Sequence, residues 1–152
     1  MLQAWRIVKE RYVATAFDGD GARRYGGRWN TPGVPAVYAS ETRALAILEV
    51  LAGLGSAAPL PAYVIARAEF DPGLVEAIDP PDLPADWNRY PPGAASQRIG
   101  DRWLAEARSA VLAVPSAIVP QERNFLLNHL HPDFGRVRIG PPEPFAFDPR
   151  LG

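Results

Sequence analysis

Two stretches of the chain are predicted to be strands, and apolar and polar positions alternate in the second of them. The segments "LQAWRIV" (2–8) and "AYVIARAEF" (62–70) are rich in β-branched and aromatic residues and are typical of strands. A third, shorter run, "PAVYAS" (35–40), has the length of a buried strand.

Further strands are predicted in the second half of the chain. We expect "LVEAID" (74–79) to pair with 62–70 after a turn at Asp71-Pro72-Gly73. The other predicted strands are "AVLAV" and "SAIV" on either side of Pro115, and then "GRVRIG" and "PFAFD".

A first helix is predicted after 35–40. Ser40 is a suitable N-cap, and Glu41 suits the positive end of a helix that runs to about Ala52. Gly53 or Gly55 would then close it.

A second helix is predicted to open at Ser96. Its apolar face would contain Ile99, Trp103, Leu104 and Ala107. Residues 9–33, with a turn at Gly19–Gly21, and the five-proline segment 79–93 are expected to be irregular. The prediction is an α+β fold: one compact domain (1–152) of mixed, mostly antiparallel strands with two main helices.

Composition excludes several classes of function. The net charge of −1 gives no sign of direct nucleic-acid binding. The absence of cysteine excludes disulfides and thiolate chemistry. The longest apolar run, 44–54, is too short to span a membrane, and the N-terminus does not resemble a signal peptide, so we expect a soluble cytoplasmic protein.

Glu49 is the single charged residue in the helical segment "ALAILEVLA" (44–52). A helix that is apolar on every side is usually buried on most of them. An unpaired carboxylate is costly there, so Glu49 needs a cationic or donor-rich partner, or an open cleft. Alternatively, Glu49 points to solvent at the edge of the helix.

Arg28 follows Gly26-Gly27, which allow the backbone to turn and to approach a ligand closely. Its guanidinium suits a phosphate or carboxylate, because it donates two parallel hydrogen bonds. The alternative is a buried Arg28–Glu49 ion pair that serves only the fold.

Tyr38 and Ser116 are weaker candidates. Tyr38 could stack on an aromatic ligand or be a core tyrosine with a satisfied hydroxyl, and Ser116 could bind a ligand or be a small strand residue. The two histidines, His129 and His131, have no carboxylate at metal-binding spacing beside them, so they make a poor metal site and are interpreted as loop residues.

Three segments, "WRIV", "GGRWNTPGVPAVYASETRALAILEVL" and "VPSAIVPQERNFLLNHLHPDF", resemble the RES domain. This family is named for its arginine, glutamate and serine, and it supplies the toxin of Xre–RES toxin–antitoxin pairs. The likeness runs over nearly the whole chain, although 56–110 matches in pattern more than in residues. One departure is Asn128-His129-Leu130-His131, where the family often has Asn-Pro before the second histidine.

The resemblance implies a fold similar to the diphtheria-toxin kind of ADP-ribosyltransferase, and an activity that consumes NAD+ by cleaving its nicotinamide–ribose bond. Glu49 and Arg28 would be catalytic. The residues expected to bind NAD+ are Arg28, Tyr38, Ser116, Arg6 and Asn128.

The chemistry of that bond agrees with these roles. Cleavage develops positive charge on C1′ of the ribose, which a fixed carboxylate such as Glu49 stabilises. Arg28 would hold the pyrophosphate or ribose, and Tyr38 would face the nicotinamide. The sequence has no GxGxxG fingerprint, so we expect NAD+ as a substrate, with phosphate or water as acceptor, and no cofactor or metal.

The resemblance also implies a partner. An Xre-type antitoxin would block the active-site cleft, with a carboxylate among the arginines at positions 6, 23, 24 and 28. DNA would then be bound only through that antitoxin, and no membrane would be involved. Two other functions stay open: transfer of ADP-ribose to a host protein, and a non-catalytic binding module.

Overall fold

The computed structural model describes residues 1–54 and 62–151. They contain eight strands: β1 (Leu2–Lys9), β2 (Val37–Ser40), β3 (Tyr63–Phe70), β4 (Val75–Ala77), β5 (Val111–Pro115), β6 (Arg123–Leu127), β7 (Arg138–Ile139) and β8 (Glu143–Phe145). The α-helices are α1 (Asp20–Tyr25), α2 (Arg43–Leu54) and α3 (Ala94–Glu106). None of the helices in these residues is long and apolar enough to cross a membrane.

The strands form one sheet in the order β4-β5-β6-β2-β1-β3-β7, with β8 also paired to β3. All pairs are antiparallel except β4 with β5. This confirms the predicted α+β class with mostly antiparallel strands and two main helices.

The two faces of the sheet carry different side chains, because successive strand residues point in opposite directions. One face holds a core cluster that includes Val37, Phe70, Phe125 and Leu127. On the other face, α2 packs through Ala46 near β1 and β3, while α3 packs through Trp103 against β5 and β6. Between these two helices the same face of the sheet carries two polar side chains, Ser40 of β2 and Asn124 of β6, which we call the polar patch.

The predicted pairing of 74–79 with 62–70 is wrong. The Asp71 carboxylate accepts a hydrogen bond from the Gly73 amide (2.7 Å) and begins a short 3-10 turn. Leu74 is then buried in the core, and β4 lies parallel to β5 at the far side of the sheet. A turn signal alone does not determine where the next strand pairs.

The strand predicted at 116–119 is also wrong. Ser116 ends β5 in a turn, because its hydroxyl oxygen accepts hydrogen bonds from the Ile118 and Val119 amides (both 3.1 Å). The late strands are present but short, at β7 and β8.

The ends of the helices differ from those predicted. Ser40 is not the N-cap: it belongs to β2, and the Thr42 hydroxyl accepts from the Leu45 amide at the start of α2 (3.0 Å). Gly53 lies within the last turn of α2, and Gly55 falls outside the described residues. Ser96 lies within the first turn of α3.

The segment 9–33 is more regular than predicted. It contains a 3-10 helix at Glu10–Thr15 and the short helix α1, which follows Gly19 in the left-handed conformation (φ 75°). By contrast, 79–93 contains only one 3-10 turn and is otherwise irregular, as predicted.

Candidate active site

The Glu49 side chain extends from α2 to the polar patch, where Asn124 binds it. The Asn124 side-chain amide donates a hydrogen bond to Oε2 of Glu49. The side-chain oxygen of Asn124 in turn accepts from the Ser40 hydroxyl (2.7 Å). Asn124 and Ser40 are register partners on β6 and β2. Glu49 therefore does not simply point to solvent, because the sheet orients its carboxylate.

Asn124 is a site residue that the sequence reasoning missed. It stands in "QERNFLLN", where no spacing rule links it to Glu49, 75 positions away. Only the pairing of β2 with β6 brings them together. The neighbouring residues gave no signal either, since Asn124 follows Gln121, Glu122 and Arg123 and looks like the end of a polar turn.

The surroundings of Glu49 shift the pKa of its carboxyl in opposite directions, and burial has the largest effect. Burial raises the pKa of the Glu49 carboxyl above its ordinary value, although the Asn124 hydrogen bond and the positive charge of Arg28 both lower it. Burial makes the ionised form of such a carboxyl less stable than it is in water. A pKa raised in this way is a frequent mark of a functional site.

We expect Glu49→Gln to stabilise the fold at neutral pH. A carboxyl whose pKa is raised on folding contributes stability below its unfolded value, 4.5, and loses it as the pH rises through the folded value. The advantage of glutamine over wild type should therefore grow from acid to neutral pH. Chemical denaturation of both proteins across that range measures it, and an advantage that shrinks with rising pH would contradict it.

Arg28 is partly buried in the loop between α1 and β2. Its Nη1 donates to the carbonyl oxygens of Trp87 (2.9 Å) and Arg89 (2.8 Å). Burial lowers the pKa of the guanidinium, and the charge of Glu49 raises it. The two charges therefore influence each other, but no Arg28–Glu49 pair within 4.0 Å is found in residues 1–54 and 62–151. Arg28 and Glu49 therefore do not form the direct structural ion pair that the sequence left open as an alternative.

The Tyr38 hydroxyl both donates and accepts a hydrogen bond. It donates to the Asn30 side-chain oxygen (2.6 Å) and accepts from the Trp29 amide (3.0 Å). Burial raises the pKa of the Tyr38 hydroxyl, so it stays neutral. A Cβ at Gly27 would lie 2.7 Å from the Tyr38 hydroxyl oxygen. The close approach that glycine permits here is to Tyr38, and the stacking of Tyr38 on nicotinamide stays a prediction.

Arg6 lies where β1 and β2 separate. The two strands share one register pair, Trp5 with Ser40. Beyond it the Arg6 guanidinium donates to the carbonyl oxygens of Tyr38 (2.8 Å) and Ala16. Burial lowers the pKa of Arg6 to about 10, so the group stays charged at neutral pH. Arg6 thus compensates for missing strand pairing, and its contact with NAD+ stays a prediction.

Ser116 and Asn128 lie at opposite ends of the sheet strands. Ser116 lies two residues after Val114, the register partner of Asn124, and is therefore near the end of the strands where Asn124 binds Glu49. Asn128 follows the other end of β6, about 13 Å along the strand from Asn124 at about 3.3 Å per residue, and its side-chain oxygen accepts from the Leu130 amide (3.1 Å). Both side chains are buried and hold turns, and their binding of NAD+ stays a prediction.

The histidines lie in the loop after β6, as interpreted from the sequence. One surface hollow lies elsewhere and includes neither Glu49 nor Arg28. It is lined by Met1, Asp71, Leu74, Gly135, Arg136 and Arg138. The chemistry of Glu49 and Arg28, rather than the size of a hollow, identifies the candidate site.

Comparison with known proteins gives one consistent family. A family model described as "RES domain" matches residues 3–148. "Toxin Res" of Yersinia enterocolitica is 38% identical, with 99% of each chain covered. "Prs ADP-ribosylating toxin" of a Sphingobium species is 40% identical, covering 97% of this chain and 94% of the relative.

The fold is similar to that of a solved toxin–antitoxin structure. A chain in the crystal structure of the M. tuberculosis MbcT–MbcA toxin–antitoxin complex superposes with a TM-score of 0.79 at 19% identity, covering 95% of this chain and 84% of that one. The match over residues 3–148 and the toxin relatives at 38–40% identity place the chain: it belongs to the RES domain family of toxins.

Proposed function

We propose that this protein consumes cytoplasmic NAD+ by cleaving the bond between nicotinamide and ribose. The observation that carries the proposal is a carboxylate, Glu49, oriented by Asn124 and partly desolvated, with the Arg28 guanidinium near enough to affect its pKa. A fixed anion with a cation nearby suits a substrate that develops positive charge next to a pyrophosphate.

Each of the two groups retains binding capacity. Asn124 engages Oε2 of Glu49, and no described residue donates to Oε1. Arg28 donates to the two loop carbonyls through Nη1, and its Nε and Nη2 find no acceptor among the described residues. Oε1 can therefore accept from the ribose 2′-hydroxyl, while Nε and Nη2 can donate to a phosphate oxygen.

The reaction follows from this arrangement. The C1′–N bond breaks and its electron pair goes to the nicotinamide ring, which becomes neutral. The ionised Glu49 carboxylate stabilises the oxocarbenium-like charge left on C1′. An oxygen of phosphate or water then bonds to C1′ and gives up a proton.

Transfer of ADP-ribose to a host protein is the second candidate function. The Sphingobium relative, named an ADP-ribosylating toxin, favours it. Only the acceptor differs, since the same C1′–N bond is broken. A non-catalytic binding module is the third candidate, and the oriented carboxylate argues against it.

One experiment separates these functions. Purified protein is incubated with NAD+ alone, with phosphate, and with cell extract, and the released nicotinamide and labelled products are measured. Turnover with phosphate or water alone supports NAD+ degradation, and label on a protein only with extract supports transfer. No nicotinamide under any condition would overturn both enzyme functions.

We expect Arg28→Lys to weaken NAD+ binding markedly. Lysine keeps the charge but loses the planar fork, so it cannot hold the Trp87 and Arg89 carbonyls and still offer two parallel donors to a phosphate. Titration calorimetry measures the affinity. Arg98→Lys on the exposed side of α3 is the control, and equal affinities of Arg28→Lys and wild type would show that Arg28 does not contact NAD+.

We propose an antitoxin of the Xre type that blocks this site and supplies the DNA affinity. Arg23 and Arg24 are already paired with Asp20 (2.6 and 2.9 Å), and Arg6 is engaged by backbone carbonyls. Arg28 also donates to two carbonyls, but through Nη1 alone, and none of the described carboxylates pairs with it. Of these four arginines it therefore offers the best place for a carboxylate of the partner.

The complex with this antitoxin is expected to be inactive on NAD+. Co-expression with the product of a neighbouring antitoxin gene, followed by an NAD+ assay of the purified complex and of the toxin released from it, tests this. A complex that cleaves NAD+ as fast as the free toxin would exclude blockade of the site.

A further inference from the structure

One face of α3 lies against the backbone of the loop that carries Arg28. Ser96, Gln97, Gly100 and Asp101 recur at the spacing of a single helical face. All four contact residues 27–31, and none of them belongs to the proposed ligand contacts.

The contacts fix successive residues of the loop. The Ser96 hydroxyl donates to the backbone carbonyl oxygen of Arg28 itself (2.8 Å), and the side-chain amide of Gln97 donates to that of Gly27 (3.1 Å). The Asp101 carboxylate accepts from both the amide (3.0 Å) and the hydroxyl (2.7 Å) of Thr31. At Gly100 the helix backbone comes so close to the Trp29 carbonyl that no side chain fits between them.

The guanidinium of Arg28 is held by the same part of the chain. The Trp87 and Arg89 carbonyls that bind Nη1 lie in the proline-rich segment that leads into α3. The Trp87 ring stacks on Trp29, with ring centroids 6.3 Å apart. Residues 87–101 therefore hold Arg28 at both ends, backbone and guanidinium.

We propose that Ser96 and Asp101 are positioning residues for NAD+ binding, because they fix the loop that aims Arg28 at the site. This inference rests on the proposed function. Ser96 and Asp101 together make three hydrogen bonds from a rigid helix to one short loop and leave it little freedom. A shift of about 1 Å in a binding group can cost roughly 10²-fold in rate.

The test compares Ser96→Ala with Ser109→Ala. Both serines make hydrogen bonds at α3: Ser109 accepts from the Trp103 indole (2.8 Å) and donates to the Val111 carbonyl (2.8 Å), away from the loop. The two changes should lower thermal stability to a similar degree. Only Ser96→Ala should raise the KM for NAD+, by about fivefold to tenfold with kcat within about twofold, because Arg28 binds ground state and transition state alike.

Asp101 supplies a second, independent pair of variants. Asp101→Ala removes both bonds to Thr31 and should raise the KM by at least as much as Ser96→Ala. Asp101→Asn keeps an oxygen for the Thr31 amide and a donor for its hydroxyl, and it should restore most of the loss. A merely structural role predicts instead that the KM is unchanged in every folded variant.

The outcomes separate the two proposals. If wild type releases no nicotinamide from NAD+, both the proposed function and the inference that rests on it are wrong. If wild type is active and Ser96→Ala has the same KM as Ser109→Ala, the inference fails and the proposed function stands. A raised KM in Ser96→Ala and Asp101→Ala, restored in Asp101→Asn, supports the positioning role.

Discussion

Glu49→Gln is expected to lower NAD+ turnover by about 10²–10³-fold while the fold is kept. Glutamine preserves the shape of the side chain and an oxygen for the Asn124 amide. It removes the negative charge opposite the developing cation at C1′, which is worth a few kcal/mol of transition-state stabilisation. Nicotinamide release at saturating NAD+, with circular dichroism to verify folding, measures the effect.

Glu41→Gln is the matched control for this change. Glu41 is also a partly buried carboxylate, near the start of α2, and its Oε1 accepts from the Arg123 amide (2.7 Å). Glutamine can still accept there, so turnover should stay close to that of wild type. Wild-type turnover by folded Glu49→Gln would show that Glu49 is not the electrostatic catalyst.

Part of this site could be predicted from the sequence because its signals are local. Glu49 is conspicuous as one charge in an apolar helix, and Arg28 as a guanidinium after two glycines. The fold brings the two charges close enough for each to shift the pKa of the other. The partner that orients Glu49 was not predictable in the same way, because Asn124 reaches it only through the pairing of β6 with β2.

The prediction failed where local signals compete with long-range packing. The Asp71-Pro72-Gly73 turn was identified correctly, but the strand after it joins β5 rather than folding back on β3. Ser116 lies in an apolar run that favours a strand, yet its hydroxyl oxygen binds two amides and turns the chain. Side-chain hydrogen bonds to nearby amides often outweigh strand propensity in this way.

The helix α3 illustrates a further limit. Its apolar residues predicted a helix that packs through Trp103, which is fully buried. Its other face looks like an ordinary polar surface in the sequence. In the structure that face binds the Arg28 loop, so residues with no chemistry of their own determine where a proposed ligand residue lies.

Gly100→Ala is expected to destabilise the protein by about 3 kcal/mol or more. Alanine is the better helix former and would by itself gain about 0.5–1 kcal/mol over glycine. The added Cβ, however, would lie 1.7 Å from the Trp29 carbonyl oxygen, a backbone atom that cannot swing aside. The clash therefore outweighs the propensity, and the loop must separate from α3.

Thermal unfolding of Gly100→Ala beside Gly21→Ala tests this reasoning. Gly21 lies in α1 with nothing near its Cβ position, so the propensity gain should appear there without a clash. Gly100→Ala should lower the Tm by roughly 6–12 °C for a domain of this size, and Gly21→Ala should leave it unchanged or raise it. Equal midpoints for the two variants would mean that α3 does not hold the loop closely. If Gly100→Ala still folds, displacement of residues 27–31 should also weaken NAD+ binding, because Arg28 moves with Trp29.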